Sequence, residues 1–175
     1  DEPIRFRQNN VWMGEFDNSN GNYSIGLNAG SNLAPTGINN IALGSSALLN
    51  ANTGYNNIAI GETSIQSITS GYKNIGIGKS TLFNNDTGSY NIAIGDSALF
   101  NNLISRNIAI GNSALLTNSN GANNIAIGNR SLESNTSGND NTAIGTSAMI
   151  NMTTGRENTS VGFQAMRGAV AGSNS

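Results

Sequence analysis

The octapeptide Asn74-Ile75-Gly76-Ile77-Gly78-Lys79-Ser80-Thr81 ends in the Gly-Lys-Ser-Thr signature of a phosphate-binding loop. Such a loop needs a glycine five residues before Gly78, so that consecutive backbone N–H groups curl around phosphate oxygens. That position is Lys73. The neighbouring text accounts for the match differently: "NIAIGETSI" stands at 57–65 and "NIAIGDSAL" at 91–99, so Lys79 fills a variable position of a repeat. Its counterparts in the flanking copies are Glu62 and Asp96, which place a carboxylate on either side of the ammonium.

A second constellation is acidic. Asp140 and Glu157 occupy one position of successive copies, and two carboxylates at strand spacing invite comparison with a retaining glycosidase, whose pair lies about 5–5.5 Å apart. No aromatic sugar cradle accompanies them and Arg156 supplies a counter-charge, so the pair reads as solvated surface. The chain has no Cys and no His, which removes thiol chemistry, disulfides, imidazole catalysis and the common zinc sites together. No catalytic residue, metal site or cofactor is expected, and the protein reads as non-enzymatic.

Eight basic against ten acidic residues, scattered along the chain, create no field that gathers nucleic acid. No apolar run approaches the roughly 20 residues of a membrane span, so membrane insertion is not expected, and the N-terminus lacks a signal-peptide pattern. Only 10% of residues are charged, against about 25% in an ordinary soluble domain. Starting at Asp1 and stopping in mid-pattern at Ser175, the sequence reads as part of a longer chain.

The elements that position these residues follow from the repeat. The glycines closing each "NIAIG" are Gly26, Gly44, Gly61, Gly78, Gly95, Gly111, Gly128, Gly145 and Gly162, spaced by 17 residues except for one interval of 18 and one of 16. Nine copies at near-constant spacing indicate stacked supersecondary units. A unit this short and this rich in Gly and β-branched residues suits a coil of two short strands, "NIAI" and a second around "SAL", so the fold class is all-β, a parallel β-solenoid of about 17-residue coils. The glycines of the return segment, Gly37, Gly54, Gly71, Gly88, Gly121, Gly138 and Gly155, are available where a turn needs positive φ. Residues 22–175 form the solenoid, and residues 1–21 lie outside it as an N-terminal cap or connector in which Trp12 serves cap packing.

Stacking predicts three continuous columns in which equivalent side chains of successive coils stand about 4.7–4.9 Å apart. Ile25, Leu43, Ile60, Ile77, Ile94, Ile110, Ile127, Ile144 and Val161 make one aliphatic spine, and Leu48, Ile65, Leu82, Leu99, Leu115, Leu132, Met149 and Met166 make another. Asn40, Asn57, Asn74, Asn91, Asn107, Asn124, Asn141 and Asn158 make an amide ladder that donates and accepts along the stack. Alternation sends Ile58 and Ile60 to one face and Asn57 and Ala59 to the other, and both faces read as buried, the second by a partner chain. An oligomer is therefore expected. Three copies depart from the pattern: "NNLISRN" at 101–107 lacks one residue and the turn glycine, and Thr142 and Thr159 replace the first strand isoleucine in two others.

The segments "NNIAIGETSI", "YNIAIGDSAL" and "NNIAIGNRSL" resemble the head repeats of YadA-like trimeric autotransporter adhesins, and "TGYNNIAIGETSI" at 53–65 and "TGSYNIAIGDSAL" at 87–99 resemble repeats of phage tail fibres. The resemblance covers about residues 22–173. It implies a left-handed parallel β-roll, a homotrimer with three spines near one axis, and a virion tail-fibre segment that presents or forms a surface for a host-cell glycan or protein receptor. A bacterial cell-surface adhesin head is the alternative. The longer coil, and the lack of an anchor, stalk or chaperone in this sequence, favour the phage fibre.

Receptor contacts would fall on positions that vary. Tyr55 and Tyr72 share one, and Phe83 and Phe100, followed by Leu116, share another. Their rings either stack on sugars or fill a gap between subunits. Ice binding is a further class, because Thr36, Thr53, Ser70, Thr87, Ser137 and Thr154 form a hydroxyl column, although Leu103 and Asn120 interrupt it.

Overall fold

A computed structural model describes residues 2–33 and 36–168. It contains strands and turns and, among the described residues, no helix. The strands are β1 (Ile4–Gln8), β2 (Val11–Asp17), β3 (Asn22–Ile25), β4 (Ile41–Leu43), β5 (Ile58–Ile60), β6 (Ile75–Ile77), β7 (Ile92–Ile94), β8 (Ile108–Ile110), β9 (Ile125–Ile127), β10 (Thr142–Ile144) and β11 (Thr159–Val161). They lie in one sheet in sequence order. From β3 onward each pairs in parallel with the next, residue on equivalent residue, as in Ile58 on Ile75 and Ile60 on Ile77. The architecture is a parallel β-solenoid of about eight turns.

The first strands are antiparallel. β1 and β2 form a hairpin whose second strand pairs with β3, so the N-terminal segment occupies the edge that the first coil would otherwise leave open. Phe16 packs between Phe6 and Tyr23, with ring centroids 5.1 and 5.8 Å away. The side chain of Trp12 lies outside the described part of the structure, as do Ala34, Pro35 and the last seven residues of the solenoid segment.

Each coil is filled by small and aliphatic groups. The central alanine of the strand, as in Ala42, Ala59, Ala93, Ala109, Ala126 and Ala143, points inward and is fully buried. The column of Leu48, Ile65, Leu82, Leu99, Leu115, Leu132 and Met149 packs against it and has no exposed surface. This column is an interior spine, but the segment bearing it is not a second strand. Leu82 and Leu99 sit in left-handed turns with φ of 48° and 52°, as do their equivalents. A Leu there costs about 1–2 kcal/mol of backbone strain, comparable with the about 1.5–3 kcal/mol from burying its side chain. Hydrogen bonds between coils continue through the turn, from Leu82 N–H to Ala98 O at 3.1 Å and from Asn84 N–H to Phe100 O at 3.0 Å.

The glycines also exchange their expected roles. Positive φ belongs to the strand-closing column, for instance Gly61 at 132°, and not to the return-segment glycines. Gly71 is glycine for want of space: a Cβ there would stand 2.3 Å from Gly88 O and 2.7 Å from Ile68 Cδ1. In the return turn the left-handed residue is the one preceding the ladder asparagine, as at Asn56, Lys73, Tyr90 and Arg106. Where the shortened turn lacks a glycine, the carbonyl of Ile104 takes its place and accepts from Asn91 Nδ2 at 2.9 Å and from Asn102 Nδ2.

The remaining spine faces outward. Ile58, Ile60 and their equivalents cover the outer side of the sheet, where Ile25, Ile60, Ile77 and Ile144 remain exposed in the single chain. Thr142 and Thr159 therefore reduce apolar bulk on this outer face and leave the interior unchanged.

Candidate functional site

The asparagine ladder is architectural. The backbone N–H of Asn40, Asn57, Asn74, Asn91, Asn107, Asn124, Asn141 and Asn158 donates to the Oδ1 of the asparagine one coil earlier, at 2.9–3.1 Å. Asn22 starts the series, one coil before the repeat made it visible. In most coils Nδ2 also caps the carbonyl of the return-segment glycine, as from Asn57 to Gly71 O at 2.9 Å. With every member buried, these amides are committed to holding coils together.

A second interior ladder runs through Asn85, Asn102, Asn118 and Asn135, the last three each donating from Nδ2 to the Oδ1 of the one before at 2.7–3.2 Å. Ile68 and Met152 bound it in the adjoining coils. It joins the first ladder through Asn107 Nδ2, which donates to Asn102 Oδ1 at 3.0 Å.

The aromatic residues form ordered stacks. Tyr55 and Tyr72 lie parallel with centroids 4.7 Å apart, and Phe83 and Phe100 lie parallel at 5.0 Å. Such stacking turns the ring faces toward one another. Tyr90, which belongs to the neighbouring position, closes the tyrosine stack edge-on to Tyr72 at 5.2 Å and carries Lys73 Nζ over its own ring at 5.2 Å. The phenol of Tyr90, through charge repulsion first and hydrogen bonding second, pushes the ionisation of Tyr72 upward. Beside the phenylalanines, Asn84 Nδ2 donates to Asn101 Oδ1 at 2.8 Å.

Where the sequence suggests phosphate binding, Lys79 Nζ meets Glu62 Oε2 at 3.0 Å and its backbone N–H meets Asp96 Oδ1 at 3.2 Å. Asp140 is likewise occupied in a surface contact, accepting from Asn123 Nδ2 at 3.0 Å. Among the described residues no group of three or more His, Cys, Asp or Glu is placed to hold a metal ion.

The largest feature is the outer sheet face. Nine strands at about 4.8 Å and three residues of about 3.3 Å give an apolar strip of about 38 Å by about 10 Å. About 400 Å² is comparable with the largest apolar patch of a typical single chain, which is often functional. An apolar pocket of about 270 Å³ lined by Phe6, Met13, Ile25 and Gly26 continues the strip to the N-terminal hairpin. Sequence alternation identifies this face but not its exposure, because the isoleucine pattern is the same whether a face is covered or open. Compared with protein-family models, curated proteins and solved structures, the chain matches none. The fold defines the class as a β-solenoid repeat protein, with an apolar outer sheet face exposed in the single chain.

Proposed function

We propose that this chain is a structural and adhesive fibre segment in which three copies pack their outer sheet faces around a common axis, as left-handed rolls. The observation that carries this reading is the continuous outward column from Ile25 to Val161, an apolar strip that a chain working alone would leave in water. The likeness of its repeats to those of tail fibres supports a virion location with a host-surface glycan or protein as partner, and a bacterial adhesin head is the second reading. Phe83 and Phe100 directly follow the interior leucine column, and in this reading their stacked rings and the Asn84 and Asn101 amides are candidate receptor contacts.

Ice binding has less support. Thr53 Oγ1 donates to Thr69 O at 3.3 Å, so at least part of the hydroxyl column closes contacts between coils. The direct test is sedimentation of the purified chain beside Ile77→Asp. The wild type is expected to sediment as a trimer and the variant as a folded monomer, while a compact wild-type monomer at micromolar concentration defeats the reading. A glycan array on the trimer then tests receptor binding.

A further inference from the structure

The two ends of the stack share a chemistry that the coils between them lack. The first coil reads Asn22-Tyr23-Ser24-Ile25-Gly26-Leu27 and the last Asn158-Thr159-Ser160-Val161-Gly162-Phe163. At the strand centre both have serine where the seven intervening coils have alanine or glycine. After the closing glycine both have a large apolar residue, whereas those seven coils, from Ser45 to Thr146, are polar there. Neither change follows from stacking one more repeat on the last coil.

At the first coil the reason is visible. The hairpin strand β2 lies against β3, and Glu15 N–H donates to Ser24 Oγ at 3.0 Å. Ser160 Oγ is comparably buried and has no hydrogen-bond partner among the described residues. The backbone beside it is open as well. Ile58, Ile75 and Thr142 donate their N–H to the asparagine carbonyl of the following coil at 2.8–2.9 Å, whereas Thr159 N–H has no such acceptor among the described residues. Val161 and Phe163 are 67% and 75% exposed, the highest values among the described large apolar residues.

The sheet has one other free edge. Among the described residues β1 pairs only with β2, and all five of its residues are exposed. Two antiparallel pairings in succession make β1 run parallel to β3, and so to β11. The pairing register sets Ile4 in one row with Tyr23 and Thr159, Arg5 in the next with Ser24 and Ser160, and Phe6 in the third with Ile25 and Val161. A second copy displaced along the stack by translation therefore lays its β1 against β11, Ile4 beside Thr159 and Phe6 beside Val161.

We propose that the chain joins end to end: β1 of one copy adds to β11 of another in parallel register, covers Phe163 and brings a backbone N–H to Ser160 Oγ as Glu15 does at Ser24. The hairpin then lies between two coils that carry the same end residues. Association comes from main-chain hydrogen bonds between two strands that each lack a neighbour, as in other strand additions. The contact is heterologous and repeats by translation, so it extends into a filament and does not close into a ring. This goes beyond the packing of outer faces and does not rest on it, since one contact uses the face of the sheet and the other its edges.

Engineered cysteines test the join in a chain that has none of its own. Ile4→Cys and Thr159→Cys are exposed substitutions, and within one chain their positions lie about 48 Å apart at the spacing of neighbouring strands, beyond the reach of a disulfide. The two single variants are mixed in equal amounts at millimolar concentration and treated with oxidised glutathione. It takes two electrons and two protons from each pair of thiols and leaves as two molecules of glutathione. Mass spectrometry of the digested product is expected to show position 4 of one variant joined to position 159 of the other, in clear excess over the two self-pairings. A statistical mixture of the three pairings overturns the proposal. Phe163→Lys, which installs the side chain that Lys79 has at the same place in its coil, is expected to lower the yield of the mixed product at least about tenfold, and an unchanged yield overturns the contact.

Hydrogen exchange of the unsubstituted chain is the second measurement. Thr159 N–H is expected to gain protection as the concentration rises from micromolar to millimolar. Protection at every concentration overturns the proposal, because the edge is then covered from within the chain, and protection at none overturns it equally. In an Ile77→Asp background, which removes the outer-face packing, the mixed pairing is expected to persist, so a failed trimer and a failed join are read separately.

Discussion

The side-chain carbonyl of Asn57 accepts two hydrogen bonds from Asn74, one from its backbone N–H and one from its Nδ2, each at 3.0 Å. Asn74 Nδ2 makes a second contact, to Gly88 O at 2.8 Å, so a single amide joins two coils and closes a return turn. Asn74→Asp replaces that donor with a carboxylate oxygen facing two acceptors in a buried site. The expected cost is on the order of 3 kcal/mol or more. Urea unfolding followed by circular dichroism measures it, with exposed Asn129→Asp as a control expected to change stability by less than about 1 kcal/mol.

Gly76 stands where most other coils have alanine, and the reason lies across the interior. Ser64 Oγ and Thr81 Oγ1 hydrogen-bond to each other at 2.7 Å, and a Cβ on Gly76 would come within 2.6 Å of the first and 2.8 Å of the second. Gly76→Ala is expected to cost about 1–3 kcal/mol from overpacking. In a Ser64→Ala/Thr81→Ala background, which recreates the alanines found at Ala98 and Ala114, that cost should fall by at least half. A double-mutant cycle on urea midpoints gives the coupling, and additive costs would show that the hydroxyls are not what excludes alanine.

Gly76 also illustrates what the sequence conceals. Coil length, parallel register and the main asparagine ladder were legible because the same residue returns at the same interval through nine copies, and only in-register stacking makes such repetition useful. The Asn85, Asn102, Asn118 and Asn135 ladder was not legible, since Ala51, Ile68 and Met152 fill the same position elsewhere and the column looks variable. A leucine pattern likewise does not reveal whether Leu82 sits in a strand or a left-handed turn, because burial specifies where the side chain goes and leaves the backbone free to deliver it. For glycine, the letter records that a side chain is excluded without recording whether torsion or space excludes it.

Those two reasons separate at the strand-closing glycines. Gly111 and Gly162 have φ of 139° and 129°, so alanine at either suffers the same torsional penalty. At Gly111 the new Cβ would also stand 2.4 Å from Gly128 O, whereas at Gly162 its nearest neighbour is Ala165 Cβ at 3.8 Å. Gly162→Ala is expected to cost about 1–3 kcal/mol and Gly111→Ala appreciably more, with local loss of the β8 to β9 pairing. Hydrogen exchange of Gly128 and Gly145 N–H, which bond to Ile110 O and Ile127 O, distinguishes the two variants. Equal protection in both would mean that torsion alone selects glycine here.

The turn between β2 and β3 supplies a pH-dependent element. Asp17 Oδ1 accepts from Ser19 Oγ at 2.6 Å and from Ser19 N–H at 3.0 Å, and Oδ2 accepts from Asn20 Nδ2 at 3.0 Å. The Ser19 hydroxyl contributes most to holding the Asp17 carboxyl below its ordinary value of 3.8, against the opposing effect of burial. With the folded pKa depressed, the unfolded chain takes up a proton first. The contribution is complete well above pH 3.8, declines as pH falls from there, and is lost once pH passes below the folded pKa. Asp17→Asn, which keeps an acceptor but cannot titrate, should show a smaller fall in melting temperature between pH 6 and pH 3 than the wild type. Parallel profiles would show that the carboxylate contributes nothing to the join between hairpin and solenoid.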